Sequence, residues 1–414
     1  MYSFMNTLRE IPLPILNNTG DHYLQTALFF KKRLYLGATS YPNGLSTPGI
    51  SRILQYYPSA ERWETVHETS VESPLMHGNP SRRFPLELGW RAMQVMPSSI
   101  GSEILCVACL SLHHSELLFT EDGFRFKTLP NPGQVHPRSA PFGLLYHFGD
   151  WLFAAPTGVM SDGITEKNDG GALLYVNRDP RTENWRLANS PGFGDPHNQV
   201  VHGLHAFHGW LYAMVGNPFA GFQLWRTQAR GEPPFTWEPV LQQGAYRYTL
   251  NSTIAAIAVF KGVLYLGTGV PETDPLLDSA AGSEIIRVLP DGRWELVVGQ
   301  PRFSPTGLQV PISTLGPGFN DARNTLVSAL ASSTTTLYAA VVQRDSDGAV
   351  GFQIWQTANG ENWQPLTSPK FTFNNACSLR VLLTMSRFLL AAGTWRFDNT
   401  DTTNLPCLWF GQSE

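Results

Sequence analysis

The chain has 414 residues, of which 42% are hydrophobic and only 15% are charged, so it can bury a substantial core. Its 37 glycines and 31 prolines favour many short strands joined by tight turns over a helical protein. The net charge of −4, without a run of basic residues, argues against a nucleic-acid partner, and no apolar stretch approaches the roughly 20 residues of a membrane helix.

The first residues, 1–19, lack the basic segment and following apolar segment of a secretory signal. Four cysteines in so long a chain do not make a disulfide framework, and a reducing cytoplasm is the expected location. Cys106 and Cys109 match the CxxC spacing of redox and zinc sites. They fall in a predicted strand, where residues three apart point to opposite faces, so we expect two separate core residues.

One short phrase recurs along the chain: an apolar residue after a turn, then Leu-Tyr or a close variant, then two small or apolar residues. Its copies begin at Arg33, Ile104 (the weakest), Trp151, Trp210, Val263, Thr336 and Phe388. A second strand, a turn and usually an aromatic residue follow each copy, as in 222–225 and then Trp237. Each full unit therefore supplies four strands, a to d, whose sheet has two apolar faces to bury. Stacking such sheets around an axis buries both faces.

We therefore predict an all-β fold: a single domain over 1–414, a seven-bladed β-propeller of four-stranded antiparallel blades. The predicted blades cover 20–69, 84–129, 138–188, 198–242, 251–299, 323–367 and 376–412. The last blade lacks strand d, and we expect the alternating segment 6–13 to supply it, so that neither terminus leaves an open sheet. Six blades, with the weak second copy as an insertion, remain the alternative.

Two predicted turns between strands c and d share the pattern Thr-x-Asp/Asn-Gly, with an aromatic residue three positions after the glycine. They cover 120–126 and 357–363. Asp-Gly and Asn-Gly supply the positive φ angles of a tight hairpin turn. These turns resemble the Asp-box turns of sialidase-like propellers, with one residue fewer between the Asp and the Gly. The resemblance implies a propeller and carries no implication of glycan cleavage.

Longer phrases resemble those of uncharacterised bacterial propeller proteins over roughly the second half of the chain. They are 191–196, 221–227 and 311–319. This resemblance implies a bacterial origin and no defined activity. At the level of the fold alone, the chain is also similar to the propeller domain of the cyanobacterial Friedel–Crafts enzymes that alkylate resorcinols, and no catalytic motif is carried over from them.

Loop lengths separate the two predicted faces of the propeller. The a–b and c–d turns are mostly short, as at His208-Gly209 and Asp291-Gly292, whereas b–c and d–a connections such as 270–282 and 299–324 are long. The b–c and d–a loops of a propeller emerge on the same side, which we call the top face. Because long loops on a rigid scaffold commonly carry function, we expect the working surface there, over the mouth of the central channel.

Polar residues recur just before the predicted a strands, at that mouth. They include Asn198, Asn251 and Asn324, and also the residues Arg138, His197 and Arg323. The simplest interpretation is that they cap strand ends and bind channel water. The alternative is a ligand site, in which Arg138 and Arg323 hold an anionic or carbonyl group. His197 is then the general acid or base.

Further candidate ligand contacts on this face are His22, Tyr23, Arg82, Arg83 and Tyr248. We predict no metal and no cofactor. The carboxylates of 161–170 lack the spacing of a calcium loop, and His202, His205 and His208 alternate between strand faces. The sequence contains none of the motifs HExxH, Walker A, GxSxG and GxGxxG.

Two functions therefore stay open. The first is a cofactor-independent enzyme of specialised metabolism, a transferase, cyclase or lyase that holds a small, partly aromatic molecule at the channel mouth. The second is a non-catalytic binding module for a glycan, peptide or protein partner. The first predicts a deep pocket in which Arg138, His197 or Arg323 converge, and the second predicts a shallow face with exposed aromatic side chains.

Overall fold

The computed structural model describes residues 8–11, 13, 22–40, 50–57, 62–69, 73–74, 83–84, 87–97, 101–111, 116–129, 142–156, 171–182, 184–270, 281–344, 350–366, 376–385, 388–396 and 404–412. The described part is almost entirely strand and turn. Its helical segments are the one-turn 3-10 helices Pro191–Gly194, Tyr248–Asn251 and Pro317–Asn320 and the α-helix α1 (Gln243–Tyr246). None of the helices found in these ranges has the length and apolar character needed to cross a membrane.

The N-terminal part of the chain contains one outer strand, two four-stranded units and a short two-stranded ladder between these units. They are β1 (Leu8–Glu10); unit 1, comprising β2 (His22–Phe30), β3 (Arg33–Ser40), β4 (Arg52–Tyr57) and β5 (Arg62–Glu68); the ladder of β6 (Ser73–Pro74) and β7 (Arg83–Phe84); and unit 2, comprising β8 (Glu87–Pro97), β9 (Glu103–Ser111), β10 (Glu116–Thr120) and β11 (Lys127–Thr128).

The middle of the chain repeats the same meander twice. Unit 3 comprises β12 (Phe142–Phe148), β13 (Trp151–Pro156), β14 (Tyr175–Asn177) and β15 (Arg186–Leu187). Unit 4 comprises β16 (Val200–Phe207), β17 (Trp210–Gly216), β18 (Gln223–Thr227) and β19 (Glu238–Leu241).

The last third of the chain holds three units and one inserted hairpin. They are unit 5, comprising β20 (Thr253–Phe260), β21 (Val263–Gly269), β22 (Ile285–Val288) and β23 (Trp294–Val298); the hairpin of β24 (Arg302–Ser304) and β25 (Gly307–Gln309); unit 6, comprising β26 (Asn324–Ser332), β27 (Leu337–Arg344), β28 (Val350–Thr357) and β29 (Gln364–Pro365); and unit 7, comprising β30 (Ala376–Met385), β31 (Phe388–Arg396) and β32 (Asn404–Gln412).

The units have a β-propeller arrangement, with five separate four-stranded sheets rather than the seven expected. Units 5 and 6 share one eight-stranded sheet, and a single residue pair, Gly269 with Leu326, joins β21 to β26. The N-terminal strand lies where the sequence predicts it. β1 pairs antiparallel with β32, from Leu8 opposite Gly411 to Glu10 opposite Trp409, and supplies the fourth strand of unit 7.

The core lies between consecutive units rather than within any one of them. The first strand of each unit contacts that of the next, in the order β2, β8, β12, β16, β20, β26, β30 and back to β2. Seven hydrophobic clusters of the described residues each draw on two neighbouring units. One of them joins Leu36 of unit 1 to Leu408 of unit 7. Both faces of each sheet are therefore buried, as the repeat requires.

The two cysteines of the CxxC pattern lie in different cores, as predicted. Cys106 belongs to the cluster between units 2 and 3, and Cys109 belongs to the cluster between units 1 and 2. Burial raises the pKa of the Cys106 thiol to about 12. The pair is therefore two small core residues on opposite faces of β9.

The repeated c–d turns are built by side-chain hydrogen bonds to the backbone. Asp122 Oδ1 accepts the N–H groups of Phe124 and Arg125, both at 2.8 Å, and these bonds lower the pKa of that carboxyl. Asn359 makes the equivalent two contacts in the turn of unit 6. The turn therefore needs an acceptor oxygen and not a negative charge. A lysine of the preceding unit, Lys261, donates to the Ala358 carbonyl at 2.7 Å and joins two units on this face.

Candidate functional site

The d–a loops that precede units 4 and 6 have the same conformation. Gly192 and Phe193 have φ values of 61° and 56°, and Gly318 and Phe319 have values of 61° and 58°. In each loop an asparagine amide closes the turn: Asn198 Nδ2 donates to the Gly192 carbonyl at 2.8 Å, and the same bond recurs six residues apart in the second loop. A left-handed Gly-Phe pair is thus held in place by a buried amide.

The phenylalanine of each loop packs on a tryptophan of the following strand c. The ring centroids of Phe319 and Trp355 are 4.5 Å apart and nearly parallel, and those of Phe193 and Trp225 are 5.4 Å apart. A glutamine two residues before each tryptophan accepts a hydrogen bond from its indole N–H. The distance from Trp355 Nε1 to Gln353 Oε1 is 2.9 Å. The d–a loop and the b–c end of the same unit are therefore joined on one face.

Unit 5 carries a third copy of this loop in which three residues differ, with Ala245, Glu284 and Ile286 in place of the phenylalanine, the glutamine and the tryptophan. Gly244 and Ala245 are left-handed, and Asn251 Nδ2 donates to the Gly244 carbonyl at 3.1 Å. Glu284 occupies the position that Gln223 and Gln353 have in the other two units. Its Oε2 accepts a hydrogen bond from Asn251 Nδ2 at 2.7 Å. Ile286 stands in place of the tryptophan, so no indole N–H is available to this carboxylate.

Two arginines supply the missing donors to the buried Glu284 carboxylate. Arg302 Nη1 lies 2.9 Å from Oε1, and Arg247 Nε lies 3.6 Å from the same oxygen. The backbone N–H of Gln300 also donates to Oε1, at 2.9 Å. Arg302 is the first residue of β24 and donates from Nε to the Ala245 carbonyl. These contacts fix the base of the inserted hairpin to the loop of unit 5.

The hairpin presents apolar side chains to solvent. Phe303 and Leu308 face each other across β24 and β25, and Phe303 is 78% exposed. Val310 follows directly and is also exposed. Across the described ranges, five of the six exposed large apolar side chains lie on top-face loops of units 4 to 6: Phe219, Tyr248, Phe303, Leu308 and Val310. We call these five the apolar top patch. The sixth, Phe124, lies under the Arg33 guanidinium on the opposite face.

Two of the predicted catalytic residues, His197 and Arg323, lie on separate loops. His197 is exposed, with Nδ1 3.2 Å from Asp195 Oδ1 and its ring against Phe219. Arg323 holds the equivalent position in the second Gly-Phe loop and makes a two-point contact with Asp321, from Nε at 2.9 Å and Nη2 at 2.7 Å. That contact lowers the pKa of Asp321. Arg138 lies outside the described residues, so the acid–base role of these three stays a prediction.

The three predicted asparagines lie beneath the loops and not on their surface. Asn198, Asn251 and Asn324 are fully buried, and their amides hold the loops. Their position therefore favours the capping interpretation over ligand contact, because a ligand on the face does not reach a buried amide. Among the other candidates, Tyr248 is exposed in the apolar top patch and Tyr23 is partly buried in β2.

The remaining candidates cannot be placed by their side chains. Arg82 lies outside the described residues, and His22 in β2 and Arg83 in β7 are described only through their backbone. Within the described ranges, no group of three His, Cys, Asp or Glu side chains is arranged to hold a metal ion. A cavity of about 260 Å³ opens on the opposite face between units 2 and 3, lined in part by Met96, His147 and Arg181, and contains none of the predicted residues.

Sequence reasoning missed a feature that recurs in all seven first strands. Each carries a β-bulge near its top-face end, where one extra residue interrupts the pairing with the second strand. β8 and β26 each have a second extra residue, Leu88 and Thr325, closer to the start of the strand. At the level that all seven units share, the extra residues are Gln25, Arg91, Gly143, His202, Ala255, Ser328 and Arg380. We call them the bulge ring. Each is more exposed than the buried residue before it, and all seven lie on the strands that contact one another around the ring of units.

The pKa of His202 tests whether the bulge ring lies toward the channel. Its side chain is accessible to solvent, yet protein surrounds it so closely that desolvation lowers its pKa to about 4. A side chain that lines a narrow channel accounts for both observations. We expect an NMR titration to find His202 neutral down to well below pH 6.

The same shift predicts how stability changes with pH. Between pH 6.5 and 4 the unfolded chain takes up a proton at this residue and the folded chain does not, so the free energy of unfolding falls as the pH falls. His202→Gln should flatten the pH dependence in that window. A titration midpoint for His202 at or above its ordinary value of 6.5 would contradict the placement.

Comparison with solved structures places the fold among propellers. The chain is similar to the polysaccharide lyase Uly1, with a TM-score of 0.56 and 11% identity over 96% of this chain and 91% of that one. It is also similar to an ancestral GH74 enzyme (TM-score 0.55, 12% identity, 100% of this chain and 51% of that one). A puromycin-hydrolyzing peptidase of Mycobacterium tuberculosis gives a TM-score of 0.52 at 11% identity, over 98% of this chain and 55% of that one.

These likenesses establish the architecture alone, because the identities are low. The chain spans about half the length of the GH74 enzyme and of the peptidase. Neither a protein-family model nor a curated protein sequence matches it.

Proposed function

We propose that the protein is a non-catalytic binding module whose apolar top patch docks an apolar segment of a peptide or protein partner. The observation that carries the proposal is the grouping of five exposed apolar side chains on the loops of units 4 to 6. Contiguous exposed apolar side chains on a folded protein commonly mark an interaction site. Exposed aromatic side chains such as Phe219 and Phe303 are the feature that we expected of a binding module, and they support the proposal.

The chemistry of the apolar top patch favours a peptide or protein over a glycan. A sugar is held mainly by aromatic rings and by polar groups that bond its hydroxyls, whereas Leu308 and Val310 are aliphatic. The segment 303–310 contains no charged residue. Its base is fixed by Arg302 and Glu284, so little conformational entropy is lost when the exposed side chains engage a partner.

The enzyme of specialised metabolism ranks second. Acid–base catalysis requires side chains that converge on one substrate, and the described contacts of His197 and Arg323 hold each to its own loop. The likeness to resorcinol-alkylating enzymes stays a prediction at the level of the fold. The activities of the similar solved structures are not transferred to this chain.

We propose further that the eight-stranded sheet counts as two blades, which makes a closed propeller of seven. One pair of residues joins its halves, whereas four or more pairs join most strands inside each half. The contact of β30 with β2 and the pairing of β1 with β32 support closure. The single residue pair between the two blades leaves each of them with its own four strands.

Panning of a phage-displayed peptide library on the immobilised protein tests the binding function. We expect enriched peptides to carry apolar residues and to bind Phe303→Ser/Leu308→Ser at least about tenfold more weakly, the loss of ~1.4 kcal/mol or more typical of central contacts. Phe124→Ser, an exposed apolar residue on the opposite face, is the matched control and should bind them unchanged. Failure to enrich any peptide, or enriched peptides indifferent to the double substitution, would refute the proposal.

A further inference from the structure

The bulge ring divides into a polar side and a small side. Arg380, Gln25 and Arg91 come from units 7, 1 and 2, and β2 contacts both β30 and β8, so the three are neighbours on the channel wall. Gly143 of unit 3 and Ser328 of unit 6 flank this group, Ala255 of unit 5 lies across the channel, and these three small residues leave space. Bulges often re-aim one side chain toward a functional site, and here the same device recurs at one level of every unit.

We propose that the bulge ring is a binding site for the carboxylate or phosphate group of a small molecule at the mouth of the channel. The guanidinium of Arg380, the amide of Gln25 and the charge of Arg91 lie on one wall, and the bulk of the ligand occupies the space over Gly143 and Ala255. Guanidinium and amide groups are donors that bind such oxygens with directed hydrogen bonds.

The charge near the ring rests chiefly on Arg380. It is exposed between the buried residues Leu379 and Val381. Glu87 begins the strand that carries Arg91, so the net charge on that side is reduced. The carboxylates of the top-face loops are occupied: Asp195 accepts from Asn217 and Gln223 as well as from His197. They therefore oppose an anion at the ring less than free carboxylates would.

His202 gives a readout inside the ring that does not depend on activity. Its Nε2 lies close to Gly216, where an added Cβ would be 2.5 Å away. Burial keeps it neutral near pH 7 through a lowered pKa. An anion held on the facing wall of the channel favours the protonated form of His202 and raises that pKa. The imidazole resonance therefore reports occupation of the ring.

The test titrates the full-length protein with inorganic phosphate and with benzoate, followed by calorimetry and by the His202 imidazole resonance. We expect saturable binding of at least one probe with a shift of that resonance. Arg380→Gln should weaken binding at least tenfold, and Arg380→Lys should retain part of the affinity. Ala255→Leu fills the small side and should abolish binding. Arg293→Gln, at a 75% exposed arginine on the opposite face, is the control and should bind as the unchanged protein does.

Two results would overturn the proposal. One is that neither probe shifts the His202 resonance of the unchanged protein, and the other is that Arg380→Gln binds as tightly as Arg293→Gln. Arg380 is exposed, so its substitution should not unfold the chain, and this comparison holds even if Ala255→Leu does not fold. The site is separate from the apolar top patch. Phe303→Ser/Leu308→Ser should therefore keep anion binding whether or not the peptide proposal holds.

Discussion

Replacing Glu284 by alanine is expected to lower the free energy of unfolding by about 3–5 kcal/mol, the usual loss when one partner of a buried ion pair is removed. The carboxylate is fully buried, and Arg302 and Arg247 both depend on it for a counter-charge. Its removal leaves two guanidinium groups in the protein interior. Equilibrium unfolding in urea, followed by tryptophan fluorescence, measures the change.

Two further substitutions separate charge from hydrogen bonding. Glu284→Gln places at this position the residue found in the other two copies of the loop, and it keeps an acceptor for Asn251. It still removes the counter-charge, so we expect an intermediate loss. Glu295→Ala breaks the half-exposed pair with Arg287 and should cost about 1 kcal/mol or less. Equal losses for Glu284→Ala and Glu295→Ala would contradict this expectation, because the buried ion pairs of Glu284 would then stabilise the fold no more than the partly exposed pair of Glu295.

The architecture was predictable from the sequence because the repeat determines where each strand must bury both faces. The all-β propeller arrangement, the pairing of β1 with β32 and the separation of Cys106 from Cys109 all follow from strand periodicity and from the missing last strand. The number of separate sheets was not predictable. It depends on one backbone pairing, between Gly269 and Leu326, where two blades come within pairing distance.

The site was only partly predictable because position along a strand does not fix where a side chain turns. The sequence predicted polar residues near the start of the first strands, and the amides of two of them, Asn198 and Asn324, hold left-handed Gly-Phe turns. A polar residue near the channel therefore became part of the scaffold. The signal that was available is the repeated phrase Pro-Gly-Phe followed by an aspartate two residues on, which occurs at both loops.

The bulge ring had no sequence signal at all. Its members range from glycine to arginine, so neither residue type nor hydrophobic period marks them. Only the register between the first and second strands reveals the extra residue in each unit. The role of Arg302 was likewise hidden, because it reaches Glu284 from an inserted hairpin 18 residues later in the chain.

Phe319→Ala is expected to cost about 3–5 kcal/mol of unfolding free energy, the range for truncating a buried aromatic side chain. Phe319 is 4% exposed, and it lies between two tryptophans: its ring stacks on Trp355 and meets Trp363 edge-on at 5.7 Å. Alanine removes both contacts and leaves a cavity in the cluster shared by units 5 and 6. Thermal unfolding and urea titration measure the loss.

Phe303→Ala is the matched control, since it is the same change in the same connection between units 5 and 6. Phe303 is solvent-exposed and should change stability by no more than about 0.5 kcal/mol. The pair of variants therefore distinguishes the aromatic residue that holds the loop from the one that is available to a partner. If Phe303→Ala destabilised the protein as much as Phe319→Ala, the hairpin would be part of the folded core and the apolar top patch would lose its free surface.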